Sequence, residues 1–277
     1  MNRLIFSINS GRSGSKYLST LLGTAKEVVS YHEPDPDMAG RYVKYLPVSK
    51  HTLKTRMLAL PIRYKKFRKV QAINKCLEAM QPDEVYAETN FQYILSFYDA
   101  IESNFHDRYS VVLMRRYLPK VLKSWIELGW FRPEHVPTRY WCYSAVAPSR
   151  AVAPVAPMKA LDSFDQCIAY LLDVEGRAQR FLSQFPNVPV VQVRLEELKT
   201  QESISRLFSQ LGITPTDETL EKAGDVVWAR TKQKKKVGRP VSAEYCRERI
   251  EKYIERCQQE GIVTPDLVQM DPLEIAE

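Results

Sequence analysis

The chain has 277 residues, 44% of them hydrophobic and 26% charged, which suits one large domain or two small ones with an ample core. Its net charge of +7 points to an anionic partner, nucleotide and nucleic acid alike. No stretch approaches the roughly 20 apolar residues of a membrane span, and Cys76, Cys142, Cys167, Cys246 and Cys257 show no CxxC spacing, which argues against a zinc site or a disulfide framework.

The first element is an apolar run from Leu4 to Ile8, followed by a loop through Gly11 and Gly14 and then Leu18, Leu21 and Leu22 at helical spacing. The pattern predicts strand, tight loop and helix. No signal peptide is visible ahead of this first strand, and reduced thiols in a cytoplasm are the expectation. Backbone N–H groups at a helix N-terminus favour an anion, and glycine lets the backbone approach it closely. Arg12 and Lys16 add charge, and Ser13 and Ser15 add hydroxyl donors, so the loop reads as a phosphate cradle. It is not the loop of nucleotide triphosphatases, which needs Lys after its second Gly and then Ser or Thr for magnesium. Here Ser15 follows Gly14, and Tyr17 follows Lys16.

Next comes a short strand from Val28, broken by Pro34 and Pro36, with His32 and Glu33 at its end. Ligands of open α/β sheets gather beyond the carboxyl ends of the strands, so these two groups are candidates for proton transfer. Alternation along an extended strand puts them on opposite faces. Residues 40–80 are mostly helical and basic, Lys65, Lys66, Arg68 and Lys69 among them, and read as a solvated face or a basic wall for an acidic acceptor. No aromatic stacking pattern accompanies this run, which speaks against single-stranded nucleic acid. A third strand, 85–90, ends in Glu88, Thr89 and Asn90. Glu88 is a candidate acceptor contact and reserve base, or else holds the loop by hydrogen bonds. A helix follows from about Phe91 to Glu102.

A buried strand from Val111 to Met114 then runs into Arg115 and Arg116, and Pro119 suits the first turn of a helix that carries Ser124. The planar fork of arginine matches phosphate oxygens. Residues 130–160, rich in aromatics and proline, are too long for a plain connection and predict a lid, with Trp141 and Tyr143 lining an acceptor pocket or anchoring the loop. A helix from Ser163 to Phe185, a strand within 188–198 and a helix before Leu211 follow. Arg194 and Glu196 read as structural. A basic stretch, 232–240, precedes a last helix from Ala243 to Gly261, and the tail from 266 to 277 looks peripheral to a domain spanning 1–265.

Three of these loops carry a resemblance. The string Arg12-Ser13-Gly14-Ser15 resembles the 5′-phosphosulfate loop of sulfotransferases that use 3′-phosphoadenosine 5′-phosphosulfate (PAPS). Arg116 and Ser124, eight residues apart, resemble the pair that grips the 3′-phosphate in that family. Lys236, Gly238 and Arg239 resemble its late basic loop, although the usual Arg-Lys-Gly order is absent. The resemblance implies a P-loop-like three-layer α/β fold with about four or five parallel strands. It further implies PAPS bound by Gly11, Arg12, Ser13, Gly14, Ser15, Lys16, Tyr17, Arg116, Ser124, Lys236, Gly238 and Arg239, no metal, and adenosine 3′,5′-bisphosphate as product. Arg12 would stabilise the leaving charge, and Glu33, or failing it His32, would take the proton of a small-molecule or glycan acceptor, with no nucleic acid involved. A small-molecule kinase and a non-catalytic polyanion-binding protein are the alternatives.

Overall fold

The structure is a computed structural model that describes residues 2–38, 53–132, 142, 144–225 and 238–272, with side chains in the helix starting at 53 described from 60 onward. Five parallel strands form one sheet in the order β2-β3-β1-β4-β5: β1 Arg3–Ile8, β2 Val28–His32, β3 Val85–Thr89, β4 Tyr109–Arg115 and β5 Val190–Arg194. The central β1 pairs with β3 on one side and β4 on the other, with Phe6 opposite both Glu88 and Val111. The strand order therefore reverses beside β1, and the crevice of the sheet opens where the β1 loop emerges.

Alternation along β1 builds two cores. Leu4, Phe6 and Ile8 face one cluster with Tyr93, Phe97, Trp125 and Tyr170; Ile5 faces the other with Leu18, Leu22, Val112 and Phe208. The α-helices of the described residues are α1 (Ser15–Leu22), α2 (Leu53–Ala79), α3 (Tyr98–Phe105), α4 (Leu118–Glu127), α5 (Ser163–Gln184), α6 (Gln201–Leu211), α7 (Asp217–Glu221) and α8 (Ala243–Gln259). Helices α4, α5 and α8 cover the first face and α1 and α6 the second, giving the three layers that the sequence predicts.

Two elements differ from the reading of the sequence. The helix expected over 91–102 starts as a π-turn, Tyr93–Phe97, before α3. Its five residues are buried, and Tyr93 stacks on Phe6 at 5.2 Å, so tertiary packing rather than local propensity sets the turn. The described part of the segment after 266, residues 267–272, packs against the domain. Gln269 is buried and donates to Glu175 at 3.1 Å, and Arg194 donates to the Asp271 carbonyl at 2.6 Å. No described helix is long and apolar enough to cross a membrane.

Candidate active site

The β1 loop is built by its own side chains. Asn9 Oδ1 accepts from the Gly11 N–H at 3.0 Å, and Asn9 Nδ2 donates to Ser7 Oγ at 2.9 Å. Gly11, Arg12 and Gly14 all have positive φ, at 72°, 58° and 98°. A Cβ on Gly11 would lie 2.9 Å from the Trp125 ring, and one on Gly14 would lie 2.7 Å from Leu195, so space and backbone both demand glycine. The first bond of α1 runs from Leu18 N to Gly14 O, so the N–H groups of Ser15, Lys16 and Tyr17 precede the helical ladder and face the loop. Ser13 Oγ is buried and without a hydrogen-bond partner among the described residues, a polar atom that an anion's oxygen would satisfy. The side chain of Tyr17 leaves this cradle: its hydroxyl donates to Leu198 O and Lys222 O. Only the backbone of Tyr17 belongs to the cradle.

The second motif reaches the same place from 104 residues away. Arg116 Nη1 donates to the Arg12 carbonyl at 3.0 Å, and Arg12 Nε donates to Ser124 Oγ at 3.0 Å. Two guanidinium groups and a hydroxyl thus converge beside the loop. Neighbouring Arg115 turns the other way, paired with Glu175 at 2.5 Å and donating to Gln192 at 2.7 Å. Between the loop and α4–α5 lies a crevice whose polar lining is Asn9, Ser10, Arg115, Arg116, Glu175 and Gln269. Glu196 accepts from the Tyr117 N–H, and Arg194 holds the C-terminal segment, so both are structural.

Across the sheet, the ends of β2 and β3 hold the candidate base. Glu33 is not extended. Its φ is +51°, its N–H donates to Thr89 O at 3.0 Å, and His32 Nδ1 lies 3.0 Å from Thr89 Oγ1. The left-handed turn brings the Glu33 carboxylate to 3.9 Å from His32 Nε2, which corrects the expectation of opposite faces. Both side chains are partly exposed, at 43% and 29%, so both reach solvent from the same edge.

Glu88 is placed differently. Its carboxylate is buried and takes up Lys69 Nζ at 2.7 Å, the Tyr86 hydroxyl at 2.8 Å and Asn90 Nδ2 at 2.9 Å. A carboxylate saturated in this way does not face an acceptor; of the two readings of Glu88, hydrogen bonding within the protein is the one its surroundings favour. The basic run is likewise not one solvated face. Lys65 donates to the Asp37 carbonyl, Lys66 pairs with Asp99 and Lys69 is buried, whereas Arg63, Arg68 and Lys75 are exposed.

Lys236, Trp141 and Tyr143 lie outside the described residues. Gly238 docks on the end of α4, donating to Glu127 O at 2.9 Å, and a Cβ there would strike Ile126 O. Arg239 stacks over Phe164 with its guanidinium carbon 4.9 Å from the ring centre. The latter half of the expected lid is anchored. The N–H groups of Ala151 and Val152 donate to Asp173, and Arg180 donates to Ser149 O. Sequence reasoning missed Thr89 and Lys69. A hydroxyl ending a buried strand was the available signal for Thr89; Lys69 had none, being one cation among many. The described residues hold no group of three or more His, Cys, Asp or Glu that would hold a metal ion.

No protein family matches the chain by sequence, and no curated protein does. Solved structures do match it in three dimensions. The sulfotransferase domain from the curacin biosynthetic pathway superposes with a TM-score of 0.52 at 14% identity, covering 96% of this chain and 99% of that one. A sulfotransferase from Alicyclobacillus acidocaldarius superposes with a TM-score of 0.50 at 11% identity, covering 94% and 96%. The chain therefore has the P-loop-like α/β fold of sulfotransferases over nearly its full length.

Proposed function

We propose that this protein transfers a sulfuryl group from PAPS to a hydroxyl or amine of a small-molecule or glycan acceptor. The observation that carries the reading is the meeting of Arg12, Arg116 and Ser124 beside a glycine-bearing loop at a helix N-terminus. One anion site at the α1 N-terminus and a second built of arginine and serine suit a nucleotide with phosphates at both its 5′ and 3′ positions. PAPS supplies the activated sulfuryl group and leaves as adenosine 3′,5′-bisphosphate.

The residues divide the work by position. The N–H groups of Ser15, Lys16 and Tyr17, with Ser13 Oγ, hold the 5′-phosphate end, and Arg116 and Ser124 hold the 3′-phosphate. Arg12 lies between them and stabilises negative charge on the leaving group, an electrostatic contribution that needs no movement at the moment of reaction. Glu33 takes the acceptor proton at the edge of the cleft, and His32 beside it is the next candidate. The late basic loop, whose Gly238 docks on α4, supplies Arg239 to the nucleotide, and Lys236 is the further cation assigned to it. Trp141 and Tyr143 are the acceptor contacts on the lid. The five free cysteines support a cytoplasmic location.

The test is incubation of the purified protein with radiolabelled PAPS and a panel of hydroxyl and amine acceptors. Label should move to an acceptor while adenosine 3′,5′-bisphosphate accumulates. Consumption of ATP with no use of PAPS would instead support a kinase, whose Lys-Ser/Thr register the loop lacks.

A further inference from the structure

Lys69 stands in the basic run of α2 but is 1% exposed. Its Nζ lies 2.7 Å from Glu88 Oε1, donates to the Pro34 carbonyl at 2.9 Å and sits 5.4 Å from the centre of the Phe97 ring. Removing two charges from water costs several kcal/mol per ion, and an apolar pair of similar volume often stabilises a fold as well. Stability is therefore a poor reason for this pair. Its reach is a better one, because it joins three segments that are distant in sequence: the middle of α2, the end of β3 and the turn Glu33–Pro34.

That turn needs holding. Glu33 has a left-handed backbone, which is uncommon for a residue with a side chain. Pro34 has no N–H, so its carbonyl is its one backbone handle. The turn is gripped on both sides of Glu33: the Glu33 N–H donates to Thr89 O, and Lys69 donates to Pro34 O. Thr89 is the residue after Glu88, so both grips trace to the same end of β3.

We infer that Lys69 and Glu88 are a positioning pair that fixes the turn carrying Glu33 and so aims its carboxylate at the acceptor. The inference rests on the reading of Glu33 as the base. The pair itself touches neither substrate nor proton.

The test is the double variant Lys69→Met/Glu88→Gln, which removes both buried charges together, read by kinetics and by amide hydrogen exchange. The expected result is a fall in kcat on the order of 10- to 100-fold, the scale of a misplaced catalytic group, with affinity for adenosine 3′,5′-bisphosphate within about twofold. The Glu33 amide should lose exchange protection while amides of β1 and β4 keep theirs. If the double variant does not fold, Glu88→Gln alone is read in the same way. Unchanged kcat and unchanged protection at Glu33 would overturn the inference and leave the pair a packing feature. Glu33→Gln in the parent protein separates the two readings: full activity there would refute the base, while exchange at the Glu33 amide would still report whether the pair holds the turn.

Discussion

The two halves of the sheet's carboxyl edge are built by different means. On the β1–β4 side, the groups come from two short motifs, Arg12 to Ser15 and Arg116 to Ser124, each a strand end running into a helix. Their geometry follows from glycine, helix N-termini and arginine, and it is nearly local. On the β2–β3 side, His32 and Glu33 are held by Thr89, Lys69 and Glu88, from segments far apart in sequence. A phosphate site can be assembled from backbone N–H groups and one or two cations. A positioned base needs a fixed carboxylate, and the turn that carries Glu33, the base proposed above, has an uncommon φ and lies beside a buried ion pair.

The largest effect should come from the base. Glu33→Gln keeps the shape and removes the proton acceptor, so kcat should fall about 10²- to 10⁴-fold with unchanged nucleotide affinity. His32→Ala should cost far less; if it is the inactive variant and Glu33→Gln the active one, the two roles exchange. On the other side, Arg116→Ala should weaken binding of adenosine 3′,5′-bisphosphate by about 1.5–3 kcal/mol in calorimetry. Gly14→Ala should lower stability by about 1–3 kcal/mol in denaturant unfolding, because φ of 98° and the Leu195 contact both oppose a Cβ. Ser124→Ala should cost about 1 kcal/mol of nucleotide affinity, the scale of one hydrogen bond. Loss of nucleotide binding in Glu33→Gln, or loss of kcat alone in Arg116→Ala, would break the division between the two sides.

This division also explains what the sequence disclosed. The strands and their order of motifs were legible because β1, β4 and the flanking glycines are dense local signals. Arg116, the arginine with the eight-residue spacing to Ser124 of the resembled motif, donates to the Arg12 carbonyl, whereas Arg115 pairs with Glu175. What was not legible depended on contacts between distant segments. Glu33 before Pro34 reads as extended by local rule, yet the grip of Thr89 and Lys69 holds it left-handed. Lys69 looks like its exposed neighbours until β3 supplies Glu88. Tyr17 reads as part of the cradle, but its ring belongs to the second core. The tail after 266 reads as peripheral because its anchors, Glu175 and Arg194, lie about 75 to 95 residues upstream, as the 94-residue separation of Gln269 and Glu175 illustrates.

The most direct measurement is a calorimetric comparison of adenosine 3′,5′-bisphosphate with adenosine 5′-monophosphate, in the parent protein and in Arg116→Ala. If Arg116 and Ser124 form a 3′-phosphate site, the bisphosphate should bind at least about tenfold more tightly in the parent, and most of that margin should vanish in the variant. Equal affinity of the two nucleotides in the parent, or a margin that survives the loss of Arg116, would contradict the account.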